Sequence, residues 1–385
     1  MTPFPDQLRA ELDEWGAAGL YRAFRDVGSP QGARIVMDGR ELLNFSSNDY
    51  LGLANDPLLK RAATQAIETY GVGAGASRLV CGNLAPYAEL EAKLARFKNT
   101  EAAIVFGSGY AANVGTITSL VGPGDVVILD KLDHASIIDG ARQSGATIRV
   151  YPHQNLRRLE AILQRSGGAK RKLIVTETVF SMDGDLAPLP EIVALKDQYG
   201  AWLMIDEAHA TGLYGPHCRG LAEPLGVSDR IEITVGTLSK ALGSAGGYVV
   251  GSRVLIDYLR NRARSLIYST ALPPAVVAAA SAAVDFVMSE AGRERRDQLW
   301  RNVSALKHGL SAAGIQNKSR SAIIPIIVGE ESAAVAVSQR LLEQGVFVPA
   351  IRYPTVPRGK ARLRVTLTAG HTAADIEHFL HAYAH

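Results

Sequence analysis

Cysteine is almost absent from this chain. Only Cys81 and Cys218 occur in 385 residues, far apart and in no metal-ligand spacing. A disulfide framework and a bound metal are therefore not expected, and a reducing, cytoplasmic setting is. Long apolar runs are also lacking. The longest, PPAVVAAASAAVDFVM, is broken by Ser281 and Asp285 and is too short to span a bilayer, which predicts a buried helix and no membrane partner. The opening MTPFPDQLRAELDEW has no apolar segment and carries acids early, unlike a secretory signal. Charge of one sign does not accumulate. Lys and Arg number 41 against 38 Asp and Glu, a net charge of +3 with no basic run, so nucleic acid is not an expected partner. No G-x-x-x-x-G-K-[ST] stretch exists, because the one Gly-Lys pair, Gly359-Lys360, is followed by Ala361. Without that loop, MIDEAHATG (204–212) cannot be the second motif of a helicase. There is no internal repeat and no low-complexity tract.

What remains has the texture of a globular enzyme: 47% hydrophobic, 21% charged, with 37 glycines. The length allows two or three domains. Short β-branched or apolar runs recur at AAIVF (102–106), DVVILD (125–130), TIRVYPH (147–153), KLIVTETVF (172–180), AWLMID (201–206), IEITVG (231–236) and GGYVVGS (246–252). Helical patterns such as NLRRLEAILQRS and LPEIVALKDQYG lie between several of them. Alternation of this kind predicts an α/β fold with a mostly parallel central sheet buried on both faces. Near residue 286 the texture changes to a charged amphipathic helix, then AIIPIIVG, another helix, VFVPAIR, ARLRVTLT and a last helix with Thr372 and Asp375 in capping-box spacing. The expected division is an N-terminal segment 1–45, a large domain 46–285 and a smaller α+β C-terminal domain 286–385.

Two motifs compete for the chemistry. FGSGYAA (106–112) follows a strand, opens a helix and reads G-x-G-x-x-A, with Asp130 ending the next strand about twenty residues on. That is the context of a dinucleotide site, so a nicotinamide oxidoreductase is an open alternative; the same helix start would hold any phosphate. GVGAGA (71–76) follows a helical segment and is discounted. TVGTLSKALGSAGG (234–247) sets Lys240 among small residues with no other charge. Such a setting lets a bulky group approach and lets an amine lose its proton. Asp206 ends a strand, where a buried carboxylate needs a partner, and His209 lies three residues on. DHAS brings His134 to a strand end, and ETVFSMDGD brings Ser181 and Asp183. The expectation is that Gly109, His134, Ser181, Asp206, His209 and Lys240 follow separate parallel strands and so share one rim. A cofactor with an aldehyde, a pyridine nitrogen, a phenolic oxygen and a phosphate needs a lysine, a carboxylate, hydroxyl or imidazole donors, a flat partner and a helix N-terminus. That set identifies pyridoxal 5′-phosphate as the expected cofactor.

The segments NFSSNDYLGL, GVGAGASRLVCGN, DHAS, ETVFSMDGD, DEAHATG, GTLSKALGSAGG and YPTVPRGKARLRVTLTAGHT, in this order, resemble the α-oxoamine synthases. These are pyridoxal-phosphate enzymes of the aspartate-aminotransferase-like fold (fold type I), and the resemblance runs from about Leu12 to the last helix. It implies that Lys240 carries the cofactor and acts as the base at Cα, and that Asp206 pairs the ring nitrogen. It implies that His134 stacks on the ring and that Ser181 and His209 meet the phenolic oxygen. Backbone of Gly109 and Tyr110, with the hydroxyls of Thr237 and Ser239, would hold the phosphate. Arg352 would bind the amino-acid carboxylate, with Asn48 and Thr355 nearby, and Arg22 matches the position that meets the acyl substrate. The short N-terminus, AIRYPTVP and ARLRVTLTA imply L-alanine and pimeloyl-CoA, or pimeloyl carrier protein, as substrates, although glycine-using relatives share most motifs. The resemblance also implies a homodimer with its site at the interface, IYST (267–270) being the segment lent by the partner. Cys81 is expected to be packing rather than chemistry.

Overall fold

The computed structural model of the protein describes residues 3–17 and 20–384. Helix α1 (Phe4–Ala17) has no buried residue, and Phe4, Leu8, Leu12 and Trp15 stay exposed at helical spacing. Strands β1 (Arg34–Met37) and β2 (Arg40–Asn44) form an antiparallel hairpin. Helix α2 (Pro57–Tyr70) starts where its sequence dictates. The Asp56 side chain accepts the Leu58 N–H at 2.9 Å, and Pro57 takes the first position, where a missing N–H costs nothing. Helix α3 (Ala85–Lys98) ends at Asn99, in the left-handed region at φ 56°.

The main sheet then builds as β3 (Ala102–Phe106), α4 (Gly109–Leu120), β4 (Val126–Asp130), α5 (Ala135–Ser144), β5 (Thr147–Tyr151), α6 (Leu156–Arg165), β6 (Lys172–Glu177), α7 (Leu189–Gln198), β7 (Trp202–Asp206), β8 (Ile233–Thr237) and β9 (Gly247–Gly251). Its spatial order is β3-β9-β8-β7-β6-β4-β5. All neighbours from β8 to β5 are parallel; β9 alone runs antiparallel, to both β8 and β3. Alternate residues of β4 serve opposite faces. Val127 and Leu129 pack with Ile117 of α4 and Ile137 of α5, while Val126 and Ile128 pack with Leu159 of α6 and Ile192 of α7. This two-sided burial is why the strands read as continuous apolar runs. The edge strand β5 is the exception, with Val150 54% exposed.

Helices α8 (Arg253–Arg262), α9 (Arg264–Ile267) and α10 (Pro274–Met288) follow. The long apolar run is α10, whose Val277, Ala280 and Val284 share a core cluster with Leu59 of α2 and Leu90 and Leu94 of α3. Helix α11 (Glu290–Ala312) leaves α10 at 79°, with Ser289 capping it, so the expected boundary at 286 falls inside α10. Among the described residues no single helix is long and apolar enough to cross a membrane. The chain closes with β10 (Ile323–Gly329), α12 (Glu331–Glu343), β11 (Val346–Phe347), β12 (Ala350–Ile351), β13 (Ala361–Thr366) and α13 (Ala373–Ala384). VFVPAIR, expected as one run, is split at Pro349, which has no N–H for a ladder. β11 pairs in parallel with β2, and β12 pairs with β13. The 34–44 hairpin therefore shares a sheet with the C-terminal region. The capping box of α13 forms as expected: Asp375 N–H donates to Thr372 Oγ1 at 3.2 Å, and Thr372 N–H to Asp375 Oδ2 at 2.8 Å.

Candidate active site

The carboxyl ends of β3, β4, β6, β7 and β8 meet at one rim, as parallel strands must. They enclose a cavity of about 210 Å³ whose walls include Gly109, Tyr110, His134, Asp206, His209, Thr237, Ser239 and Lys240. Asp206 and His209 both follow β7, so the expectation of six separate strands reduces to five. A larger groove of about 950 Å³ lies at the amino ends of the strands, beside Trp202 and Ile233, and carries no comparable set of groups.

One wall is the start of α4. Ser108 caps it, its Oγ accepting the Ala111 N–H at 3.0 Å, and the free N–H groups of a helix start attract an anion. Thr237 Oγ1 and Ser239 Oγ lie 2.7 Å apart, and a Cβ on Gly109 would come within 3.6 Å of Thr237 Oγ1. The hydroxyl pair thus faces the helix start. The opposite wall is ionisable. Asp206 Oδ1 accepts the Ala208 N–H at 2.8 Å, and Oδ2 accepts Asn113 Nδ2 at 2.8 Å. Asn113 Nδ2 also donates to Ser136 Oγ at 2.9 Å, and Ser136 Oγ lies 2.8 Å from His134 Nδ1. Two buried atoms, Asn113 Oδ1 and Glu177 Oε1, have no protein partner.

Burial sets the protonation states. It pulls the Lys240 ammonium below its ordinary value, against the pull of Asp206 and Glu177, so the free amine is more accessible than on an exposed lysine. It pushes Glu177 up to about 8, helped by the charge of Asp206. It lowers His134, and it holds His209 well below 6.5, with the Lys240 charge adding to the effect. Tyr50, which burial raises to about 12, lies with its hydroxyl 2.5 Å from His209 Nδ1.

Other expected residues lie outside the cavity wall. The Ser181 hydroxyl is not part of the lining; its carbonyl accepts Arg364 Nε at 2.6 Å. Asn48 Oδ1 accepts from Arg364 at 3.2 Å. Arg352 is half-buried, and Thr355 and Arg22 are exposed. Asp130, the acid of the dinucleotide alternative, is buried and accepts from Leu132 N–H, Gln154 N–H and His153 Nδ1, each at 2.9 Å. At 2% exposed, it is closed to a ribose. Sequence reasoning passed over Asn113, Ser136, Glu177 and Arg364. Glu177, Ser136 and Arg364 stood in quoted motifs without being singled out, and Asn113 carries no local signal.

Comparison with known proteins agrees with this geometry. Residues 40–382 match the family described as aminotransferase class I and II. The chain is 52% identical, over 98% of its length and 97% of the relative's, to 8-amino-7-oxononanoate synthase of Geobacter sulfurreducens. The chain belongs to the class I and II aminotransferase family. Within that family its sequence groups with the 8-amino-7-oxononanoate synthases. A serine palmitoyltransferase from S. paucimobilis with bound PLP superposes with a TM-score of 0.92 at 35% identity, covering 98% of this chain and 96% of that one. An 8-amino-7-oxononanoate synthase from Francisella tularensis gives 0.76 at 30% identity, covering 89% and 97%. The fold is that of the fold type I enzymes in this family, and the cofactor is pyridoxal 5′-phosphate. The cavity suits that group: an amine, a buried carboxylate and an imidazole stand beside a helix start backed by two hydroxyls.

Proposed function

We propose that the protein condenses L-alanine with pimeloyl-CoA or pimeloyl carrier protein, giving 8-amino-7-oxononanoate, carbon dioxide and free thiol in biotin biosynthesis. The observation that carries this reading is the 52% identity over 98% of the chain to an 8-amino-7-oxononanoate synthase, against 35% to the serine palmitoyltransferase. A glycine-using relative is not favoured, and the engagement of Asp130 argues against the nicotinamide alternative.

When bound, pyridoxal phosphate supplies an electron sink for the negative charge left at Cα. Lys240 would anchor it until the alanine amine displaces that bond, and the freed amine, whose pKa burial lowers, would then take the Cα proton. With the group bound, Asp206 would keep a proton on the ring nitrogen, His134 would cover the ring face, and His209, with Ser181 if its hydroxyl turns into the cavity, would serve the phenolic oxygen. The N–H groups of Gly109 and Tyr110 hold the phosphate with Thr237 and Ser239. Arg352, with Asn48 and Thr355, takes the alanine carboxylate, and Arg22 meets the far carboxylate of the pimeloyl chain. The order of bonds follows. The Cα proton passes to Lys240, Cα bonds to the thioester carbon, and the carbon–sulfur bond breaks to release thiolate. The bond to the alanine carboxyl then breaks as carbon dioxide leaves, and Lys240 returns the proton to Cα.

A homodimer is part of the same reading. Exposed apolar side chains on α1 (Phe4, Trp15) and at Val80 and Tyr268, the last in the IYST segment, support it. A cytoplasmic location goes with it.

The test is to incubate the loaded protein with alanine or glycine and with each acyl thioester, and to weigh the products. Alanine with pimeloyl thioester should give the mass of 8-amino-7-oxononanoate. A product from glycine and a short acyl thioester alone would move the protein to another member of the family.

A further inference from the structure

Two polar side chains, Asn113 and Ser136, link two groups of the site that the sequence leaves unconnected. Asn113 sits in the second turn of α4. Its amide NH₂ has two hydrogens, and both are assigned: one to Asp206 Oδ2 at 2.8 Å, the other to Ser136 Oγ at 2.9 Å. The amide cannot be turned about, because its oxygen would then face the Asp206 carboxylate. Ser136 Oγ, having accepted from Asn113, keeps its own hydrogen to give, and His134 Nδ1 lies 2.8 Å away. A second observation fixes the direction. His134 caps α5, and its Nδ1 accepts the Ser136 backbone N–H at 3.2 Å. A proton on Nδ1 would point at that N–H. Nδ1 is therefore an acceptor twice over, and the ring proton belongs on Nε2.

We propose that Asn113 and Ser136 are positioning residues that tie His134 to Asp206 and hold its imidazole as the Nε2–H tautomer. Asp206 orients the Asn113 amide, the amide orients the Ser136 hydroxyl, and the hydroxyl fixes the ring. The nitrogen remote from the cap of α5 then carries a hydrogen-bond donor. A ring in the other tautomer would offer an acceptor there and would repel the carboxylate or carbonyl oxygens of a substrate. This rests on the reading that His134 faces the cofactor, but the tautomer is a property of the protein's own hydrogen bonds.

The experiment is long-range ¹H–¹⁵N NMR on histidine-labelled, cofactor-loaded protein. The His134 ring is assigned as the signal missing from His134→Gln. In the parent, Nδ1 should appear at the unprotonated shift and Nε2 at the protonated one. Ser136→Ala and Asn113→Ala should move both nitrogens toward a mixture of tautomers, while Ser136→Thr, which keeps the hydroxyl, should restore the parental pattern. A protonated Nδ1 in the parent overturns the proposal even if neither alanine variant folds. An unchanged pattern in Ser136→Ala also overturns it. Cofactor attachment is read separately by absorbance. Loss of attachment from the parent would count against the functional reading, and a wrong tautomer with normal attachment would count against the relay alone.

Discussion

Asp206→Asn changes one atom and one charge, and the surroundings allow its two effects to be separated. The carboxylate now accepts the Ala208 N–H and one hydrogen of Asn113. In the variant, the new amide oxygen can keep the Ala208 bond. Its NH₂ then faces the NH₂ of Asn113, donor against donor. Asn113 can relieve this by turning its own amide, because its Oδ1 is buried without a partner. The turn gives up the bond to Ser136 and sets the Asn113 NH₂ where no partner stands, at a cost of ~1–3 kcal/mol. The fold should therefore survive with a modest loss of stability. Catalysis should not be spared. A neutral amide cannot favour a protonated ring nitrogen, and losing one partner of a buried charge pair costs ~3 kcal/mol or more. At about 1.36 kcal/mol per tenfold, kcat should fall on the order of a hundredfold or further. The assay is thiol release with alanine and pimeloyl-CoA both saturating, with cofactor content and a thermal melt measured on the same sample. A kcat within a few-fold of the parent at full cofactor occupancy would refute the role given to Asp206. A large drop in the melting temperature would refute the packing argument.

Borohydride reduction followed by peptide mapping should place the pyridoxyl label on Lys240 and nowhere else; a label on another lysine sinks the assignment. Lys98 and Glu207 form an ion pair at 2.5 Å with both side chains 3% exposed, and Lys98 also donates to Thr211 and to the Arg219 carbonyl. Lys98→Met should cost ~3–5 kcal/mol by leaving the carboxylate buried alone, and adding Glu207→Gln should recover part of that; urea unfolding of the parent and the two variants checks both statements. His153 bridges Asp130 and Asp185 at 2.9 and 2.8 Å. Burial works against its charge, but the two carboxylates outweigh burial and hold its pKa at about 10, above the ordinary 6.5. Its contribution to stability is thus complete below about 6.5 and disappears as the pH rises through about 10. His153→Gln should flatten the parent's loss of stability across that window, and an unchanged slope would contradict the bridge.

The sheet was legible because its strands are buried on both faces and so read as apolar runs. AAIVF matches β3 residue for residue, and KLIVTETVF contains β6. The direction of β9 was not legible. GGYVVGS looks like any other buried strand, and only its pairing with both β8 and β3 reveals the reversal. The groups around Lys240 that stand at strand ends could be found from sequence, since that position is where ligands meet open α/β sheets. Asn113 could not. It lies inside a helix, and its partner Asp206 is 93 residues away. Ser136 passed for the tail of DHAS. Arg364 alternates with Leu363 and Val365 and so reads as an outward residue, yet it is buried and its Nε donates to the carbonyl of Ser181. Local patterns cannot report contacts of this kind.

The reversal of β9 has a mechanical consequence. Every other wall of the cavity is separated from the next by a helical crossover or a long loop. The segment bearing Lys240 instead returns at once to the neighbouring strand, with Thr237 opposite Gly247 in register. Its two ends are tied by Leu238 N–H to the Gly246 carbonyl at 2.9 Å, and Ser244 N–H reaches back to the Leu238 carbonyl at 2.9 Å. Gly247 in turn lies so close to the start of α4 that a Cβ there would come within 2.4 Å of the Ser108 carbonyl oxygen. The lysine and the helix that faces it across the cavity are therefore fastened to a single hairpin. The span between these two is thus set within one sheet, so a ligand fixed at both points would be held at a constant reach.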